Sequence, residues 1–210
     1  MNTSSLRTDA WNLYRAGDFA GGRDLFEDVV ALDATDYDAQ LGLGRCHRLL
    51  GDWLAAADDF TRAHELEPTR ARPLCERGAI LTLLERYDES LADYELAREV
   101  EPAYPTLDSY FAEIYLYLGR YDDALAAAEQ GLASGGDGLM SSLNVAHALL
   151  FSGLVDRALE KYAELVPLVH AGKGKSMRDV ILNDFRLFRV SHRVPADLEV
   201  AEEFVRHEKS

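Results

Sequence analysis

No stretch of this 210-residue chain approaches the roughly 18 uninterrupted apolar residues that a membrane-spanning helix requires, so membrane insertion is not expected. The opening segment, MNTSSLRTDAWNLYR, lacks an apolar h-region and a small-residue cleavage site and does not read as a secretory signal. Cysteine is scarce. Cys46 and Cys75 fall in predicted helices without CxxC spacing, which excludes a disulfide framework and suits a reducing compartment; the cytoplasm is the expected location. Basic charge is in deficit too, with 22 Lys and Arg against 37 Asp and Glu and a net charge of −15. Phosphate backbones and anionic lipids attract a basic face, so nucleic acid is not an expected partner.

Signatures of chemistry are equally sparse. The histidines at 47, 64, 147, 170, 192 and 207 show no HExxH spacing and no Cys/His cluster, so no metal or other cofactor is expected. His47 reads as a hydrogen-bonded core histidine. The segment GKGKS at 172–176 imitates the end of a P-loop, but Val169 stands where the motif needs glycine, and the preceding segment is predicted helical rather than a strand; it reads as a flexible basic linker. No GxSxG or Cys–His signature occurs. Carboxylate pairs such as Asp58–Asp59 and Asp122–Asp123 fall on predicted outward faces and read as solvated acidic surface. The chain is not expected to be an enzyme.

What the chain does contain is a repeat. With 48% hydrophobic and 28% charged residues it has the composition of a folded protein rather than a disordered one. A short pattern recurs as AGDFAGG at 16, LGDWLAA at 50, LERYDES at 84, LGRYDDA at 118 and SGLVDRA at 152. Its third residue falls at Asp18, Asp52, Arg86, Arg120 and Leu154, each 34 after the last, without insertion or deletion. Helical spacing shows in Leu54, Ala57, Phe60, Ala63 and Leu66 and again in Leu91, Tyr94, Ala97 and Val100, and no run of alternating β-branched residues suggests a strand.

In period and turn the pattern resembles the tetratricopeptide repeat family over roughly residues 3–172. Small residues recur at Ala10, Gly44, Gly78, Ala112 and Ala146, and again at Gly22, Ala56, Ser90, Ala124 and Ala158, where two helix backbones must cross closely. Bulky residues follow each turn at Phe19, Trp53, Tyr87, Tyr121 and Val155. Seven positions later come Phe26, Phe60, Tyr94 and Tyr162, with Ala128 as the exception. Pro68 and Pro102 close repeats two and three. The resemblance implies an all-α fold: a right-handed α-solenoid of five helix–turn–helix units, approximately 3–36, 37–70, 71–104, 105–138 and 139–172, each stabilised by its neighbours. ASGGDGLMSS places three glycines within four residues, and with Gly131 it should end the second helix of repeat four early. Residues 173–210 lose the signature. SMRDVILNDFRLFRV reads as an amphipathic helix with the stripe Val180, Ile181, Phe185, Phe188 and Val190. PADLEVAEEFVRHE reads as a last helix with Pro195 near its first turn. The two are expected to be C-terminal capping helices.

The resemblance also implies that first helices line a concave groove and second helices the outer wall. On that division the first-helix segments sum to +1, the second-helix segments with their linkers to −17, and the tail from 173 onward to +1. Acidity therefore belongs to the outer wall, where it serves solubility. The family's groove positions fall on Arg7, Trp11, Tyr14 and Arg15 in repeat one, on Arg45 and Arg48 in repeat two, and on Arg72, Cys75 and Thr82 in repeat three. Repeat four supplies Ser109, Tyr110, Glu113 and Tyr117, and repeat five Asn144 and His147. Arginine and aromatic side chains anchor protein interfaces. The expected function is thus an adaptor that takes a partner segment in its groove, with an acidic or carboxylate-terminated segment held by Arg15, Arg45, Arg48 and Arg72. Arg45 and Glu76 depart from the carboxylate clamp of the family's chaperone-binding members. The alternatives are a self-associating structural repeat protein, or a chaperone of the secretion or assembly type.

Overall fold

The computed structural model describes residues 2–135, 138–170, 175–191 and 193–208. Its backbone enters the left-handed region at Gly17, Gly51, Glu85, Gly119 and Gly153, the second residue of each recurring heptapeptide. At each of these points a helix must stop and reverse within two residues. Glycine does this without a Cβ clash; Glu85, with φ of 59°, does it at a steric cost of about 1 kcal/mol.

Two compact units make up the chain, Met1–Tyr104 and Pro105–Ser210. The first holds α1 (Thr3–Ala16), α2 (Phe19–Leu32), α3 (Tyr37–Leu50), α4 (Trp53–Leu66), α5 (Ala71–Leu83) and α6 (Tyr87–Val100). From α1 to α6, successive helices pack on one another. Aspartates open three of them, and two cap with the side chain: the Asp18 carboxylate accepts the Gly21 N–H at 2.9 Å and Asp36 that of Ala39 at 2.9 Å, satisfying first-turn donors that have no helical partner. The core here consists of local clusters, one around Phe26 with Ala10, Val29 and Cys46, another around Phe60 with Tyr37, Ala63 and Ile80. The small residues predicted for helix crossings do that work. A Cβ on Gly44 would lie 2.7 Å from the Phe60 ring, and one on Gly78 would lie 2.5 Å from the Tyr94 ring.

The second unit holds α7 (Leu107–Tyr117), α8 (Tyr121–Ala133), α9 (Gly138–Phe151), α10 (Val155–Leu165), α11 (Met177–Val190) and α12 (Leu198–His207). The helix α8 has 13 residues where α2, α4 and α6 have 14, and left-handed Gly135 follows it. This is the early end that the glycine run implied, although Gly136 itself lies outside the described residues. Val169–His170 pairs antiparallel with Lys175–Ser176, a two-residue bridge that the all-helical reading did not include. Lys175 and Ser176 are therefore not linker. Gly172, Lys173 and Gly174 of the GKGKS segment lie outside the described residues, as does His192. One apolar cluster runs from Ala112 and Ala128 through Leu143, Leu149 and Tyr162 to Phe185, Phe188, Leu198 and Val205, so α11 and α12 continue the core of α7–α10.

Two expected apolar stripes each lose an end residue, while Phe60, Ala63, Ile181, Phe185 and Phe188 are buried as expected. Leu54 and Val190 are exposed, while Ala56 and Met177 are buried. Asp59 is buried rather than outward, because it is held between Gln40 Nε2 at 2.7 Å and His47 Nδ1 at 2.7 Å; this bond also accounts for His47. The last helix begins at Leu198, and Pro195 lies before it with its carbonyl accepting the Leu198 N–H.

Candidate functional site

The arginines singled out in the first unit are largely consumed within it. Glu76, buried on α5, receives Arg45 through Nε at 2.8 Å and through Nη2, and Arg48 through Nη1 at 3.4 Å. Burial works against the Arg45 charge, yet the Glu76 carboxylate outweighs it and holds the guanidinium above its usual range. Arg7 pairs with Asp36 at 2.5 Å. The four-arginine clamp for an acidic segment is thereby corrected to two side chains, because a buried carboxylate left without its guanidinium is costly. Arg15, hydrogen-bonded to Asn12 at 3.3 Å, and exposed Arg72 carry no carboxylate partner among the described residues. Trp11 and Tyr14 pack edge-on against each other at 5.4 Å, and Trp11 against Phe26 at 5.0 Å; both rings complete the local core. Thr82 turns its hydroxyl to the Gly78 carbonyl at 3.0 Å and to Ser90 at 2.8 Å, inside the α5–α6 pair rather than toward a groove. Cys75 is buried, which pushes its thiol up to about 12.

In the second unit the predicted positions converge. A cleft of about 910 Å³ is lined by Ser109, Tyr110, Glu113 and Tyr117 of α7, by Asn144 and His147 of α9, and by Asp179, Asn183, Asp184 and Phe188 of α11. Residues at i, i+3 and i+7 share a helix face, which is why Tyr110, Glu113 and Tyr117 reach one wall together, as do Asn144 and His147. The α11 wall was missed in sequence because that helix carries no repeat signature and reads only as a cap. Its usable signal was Asp179, Asn183 and Asp184, polar residues interleaved with the buried Ile181, Phe185 and Phe188.

The floor of the cleft is a buried polar chain. His147 Nδ1 lies 2.8 Å from the Tyr162 hydroxyl and Nε2 lies 3.2 Å from Asp184 Oδ2. The imidazole thus bridges a hydroxyl, which can donate or accept, and a carboxylate. Complete burial raises the Tyr162 hydroxyl well above its usual range and keeps it protonated. The Phe188 ring meets His147 edge-on at 5.0 Å, so imidazole orientation is determined on three sides. Asn144, also buried, donates through Nδ2 to the Ser109 carbonyl at 3.1 Å. Among the described residues no group of three or more His, Cys, Asp or Glu side chains is arranged to hold a metal ion.

Helical hairpins repeating every 34 residues with small residues at each crossing define a helical-repeat protein. The tetratricopeptide repeat family model matches residues 8–73 and 111–172, and the chain belongs to that family. Among curated proteins it is 30% identical over 122 residues to human tetratricopeptide repeat protein 28, which covers 57% of this chain but 5% of the much longer relative. Among solved structures it is similar to PilW, a widely conserved type IV pilus biogenesis factor, at 20% identity and a TM-score of 0.73 over 96% of this chain and 90% of that one. A thermophilic TPR protein of Thermus thermophilus matches at 22% identity and a TM-score of 0.70, over 87% and 98%. YrrB, a TPR protein with an unusual peptide-binding site, matches at 17% identity and a TM-score of 0.60, over 77% and 83%. Likeness at these identities carries the fold. Among the described residues no helix is long and apolar enough to cross a membrane.

Proposed function

We propose that this chain is a protein-interaction module, an adaptor rather than an enzyme, and that it receives a segment of a partner chain in the α7–α9–α11 cleft. The observation that carries the reading is the cleft itself. Its volume of about 910 Å³ falls in the range of about 300–1,000 Å³ typical of ligand sites. It joins aromatic side chains, which supply contact area, to amide and carboxylate groups, which supply direction. Those groups stand on helices, and the His147–Tyr162–Asp184 chain and the Asn144–Ser109 bond hold Asn144, His147 and Asp184 in place, so little ordering entropy is lost there on binding. The acidic-segment reading of the first unit retains only Arg15 and Arg72, which makes the cleft the stronger site. Free, buried Cys46 and Cys75 suit a reducing compartment, and we place the protein in the cytoplasm.

The test is photo-crosslinking in the native cell. A benzophenone amino acid at position 117 should capture a discrete partner, and the same group at the exposed position 122 of α8 should not. Equal capture at both positions, or none at 117, defeats the assignment.

A further inference from the structure

One edge of the first unit carries aliphatic surface that its own core does not use. Leu49 and Leu50 end α3, Trp53 and Leu54 open α4 across the Gly51–Asp52 turn, and Leu83 ends α5. Short connections reverse the chain each time, so the end of α3, the start of α4 and the end of α5 share one side of the stack. All five side chains are exposed, from 39% for Leu50 to 68% for Leu54. At such fractions they leave on the order of 450 Å² in water, as much as the largest apolar patch of a typical monomer. Helix stability does not account for them. The position of Leu54 is occupied by Asp88, Asp122 and Asp156 in the three later repeats, each in the first turn of its helix. A carboxylate there interacts favourably with the helix dipole, and α4 has no acidic residue in its first turn. Leu49 and Leu83 share a register with Phe151, which packs on Tyr121 and Phe188 in the second unit. In the first unit that register stays open to solvent.

We propose that this edge docks an amphipathic helix of a partner protein, apolar on one face and flanked by lysine or arginine. The strip offers almost no hydrogen-bonding groups. An extended segment laid on it would bury unpaired main-chain N–H and C=O groups, whereas a helix satisfies its own. Packed helices lie about 8–10 Å apart, so Leu49 and Leu83 stand on the order of 10 Å apart, a span that positions i, i+4 and i+7 of a docked helix cover. The rim supplies the sign of charge. Asp52 and Glu85 stand at the two turns and Asp88 in the first turn of α6, all exposed, and no ion pair engages them among the described residues. Nearby cations are already held: Arg86 by Glu89 through two bonds at 2.6 Å, and Arg48 by Glu76. Arg15, in register with Leu49, is offset by Asp18 at the same turn. A second copy of the chain would bring like-charged rims together, and the strip is well short of the roughly 800 Å² per partner of a standard dimer interface. Anionic lipid is repelled in the same way. The proposal is independent of the cleft, which belongs to the other unit.

The probe is a synthetic helix of about 18 residues, long enough to hold its fold in water, with leucines on one face and lysines on the other. It is titrated against the full chain by calorimetry, beside a scrambled peptide of the same composition and a version with glutamate in place of lysine. The basic helix should bind one to one, and Leu54→Asp should weaken it about tenfold. That variant installs the residue that α6, α8 and α10 carry at the matching position, so the fold should persist, which an unchanged circular-dichroism spectrum checks. Asp88→Asn should lower affinity about threefold at low salt and less at high salt. Tyr117→Ala, in the cleft, should leave it unaltered. Equal affinity for parent and Leu54→Asp, or a scrambled or glutamate peptide that binds as tightly as the basic helix, overturns the proposal. So does a mass in solution that rises with concentration in the parent but not in Leu54→Asp, which would assign the strip to a second copy.

Discussion

Asp59 and Asp93 occupy one position of the repeat, 34 residues apart, and both are buried against a polar partner from the preceding helix. Asp59 accepts from Gln40 and His47, and Asp93 receives Arg77 through two bonds at 2.8 and 2.6 Å. The same position in the second unit carries Ala127 and Lys161, neither of which is buried in this way. The first unit thus joins its helices by glycines under aromatic rings and by buried polar pairs between small apolar clusters. The second joins its helices chiefly by a large aromatic and aliphatic cluster, with a smaller one between α7, α8 and α9, and sets several polar groups along the cleft. Buried ion pairs contribute more to choosing a register than to stability, since desolvation offsets much of their attraction; aromatic burial contributes stability directly. The unit with the apolar core sets its carboxylates and amides along a cleft, whereas the first unit uses its arginines to hold itself together.

The largest effect expected to break this comparison is Phe185→Ala. Phe185 is fully buried and packs edge-on against Tyr162 at 5.5 Å, so its removal should cost about 3–5 kcal/mol, seen as a lower urea midpoint. Burial pushes the Cys46 thiol up to about 11 and the Cys75 thiol up to about 12. Alkylation of these two cysteines therefore reports opening of the first unit alone. It should remain slow in the variant; thiols that react in step with loss of the second unit would show that the two do not differ as described.

A smaller effect sharpens the contrast from the other side. Gly78→Ala would set a methyl 2.5 Å from the Tyr94 ring, and overpacking of roughly 1–3 kcal/mol should outweigh the helix propensity gain of about 1 kcal/mol. A net loss of about 1 kcal/mol in chemical denaturation is expected. Repeat five already carries Ala146 with Tyr162 at the matching positions, so a neutral result would mean that the Tyr94 ring can tilt as that one does.

The smallest effect concerns the polar contact that the second unit does retain in its tail. Hydrogen bonding from Arg206, with Arg189 adding to it, holds the Glu202 carboxyl below its usual range. A depressed carboxyl contributes stability above its unfolded value of 4.5, and that contribution is lost as pH falls through the folded value. Because both arginines are substantially exposed, Glu202→Gln should cost only about 0.5 kcal/mol at neutral pH. Melting curves of variant and parent should converge in acid; a difference that persists there would assign the loss to packing instead.

The sequence by itself determined the local events: apolar spacing at helical period, a reversal every 34 residues at positions 17, 51, 85, 119 and 153, and small residues wherever two backbones cross. These follow from steric rules that act within a few residues, so they are legible one segment at a time. Tertiary structure decided which charges remain available. Glu76 takes up arginines 31 and 28 positions earlier, and Asp184 meets a histidine 37 positions before it. At such separations the pairing depends on how one helix face is rotated against the next, which no spacing rule expresses. For the same reason α11, read as a cap, became a wall of the site: packing against α9 turns its apolar side to the core and brings Asp179, Asn183 and Asp184 to the cleft.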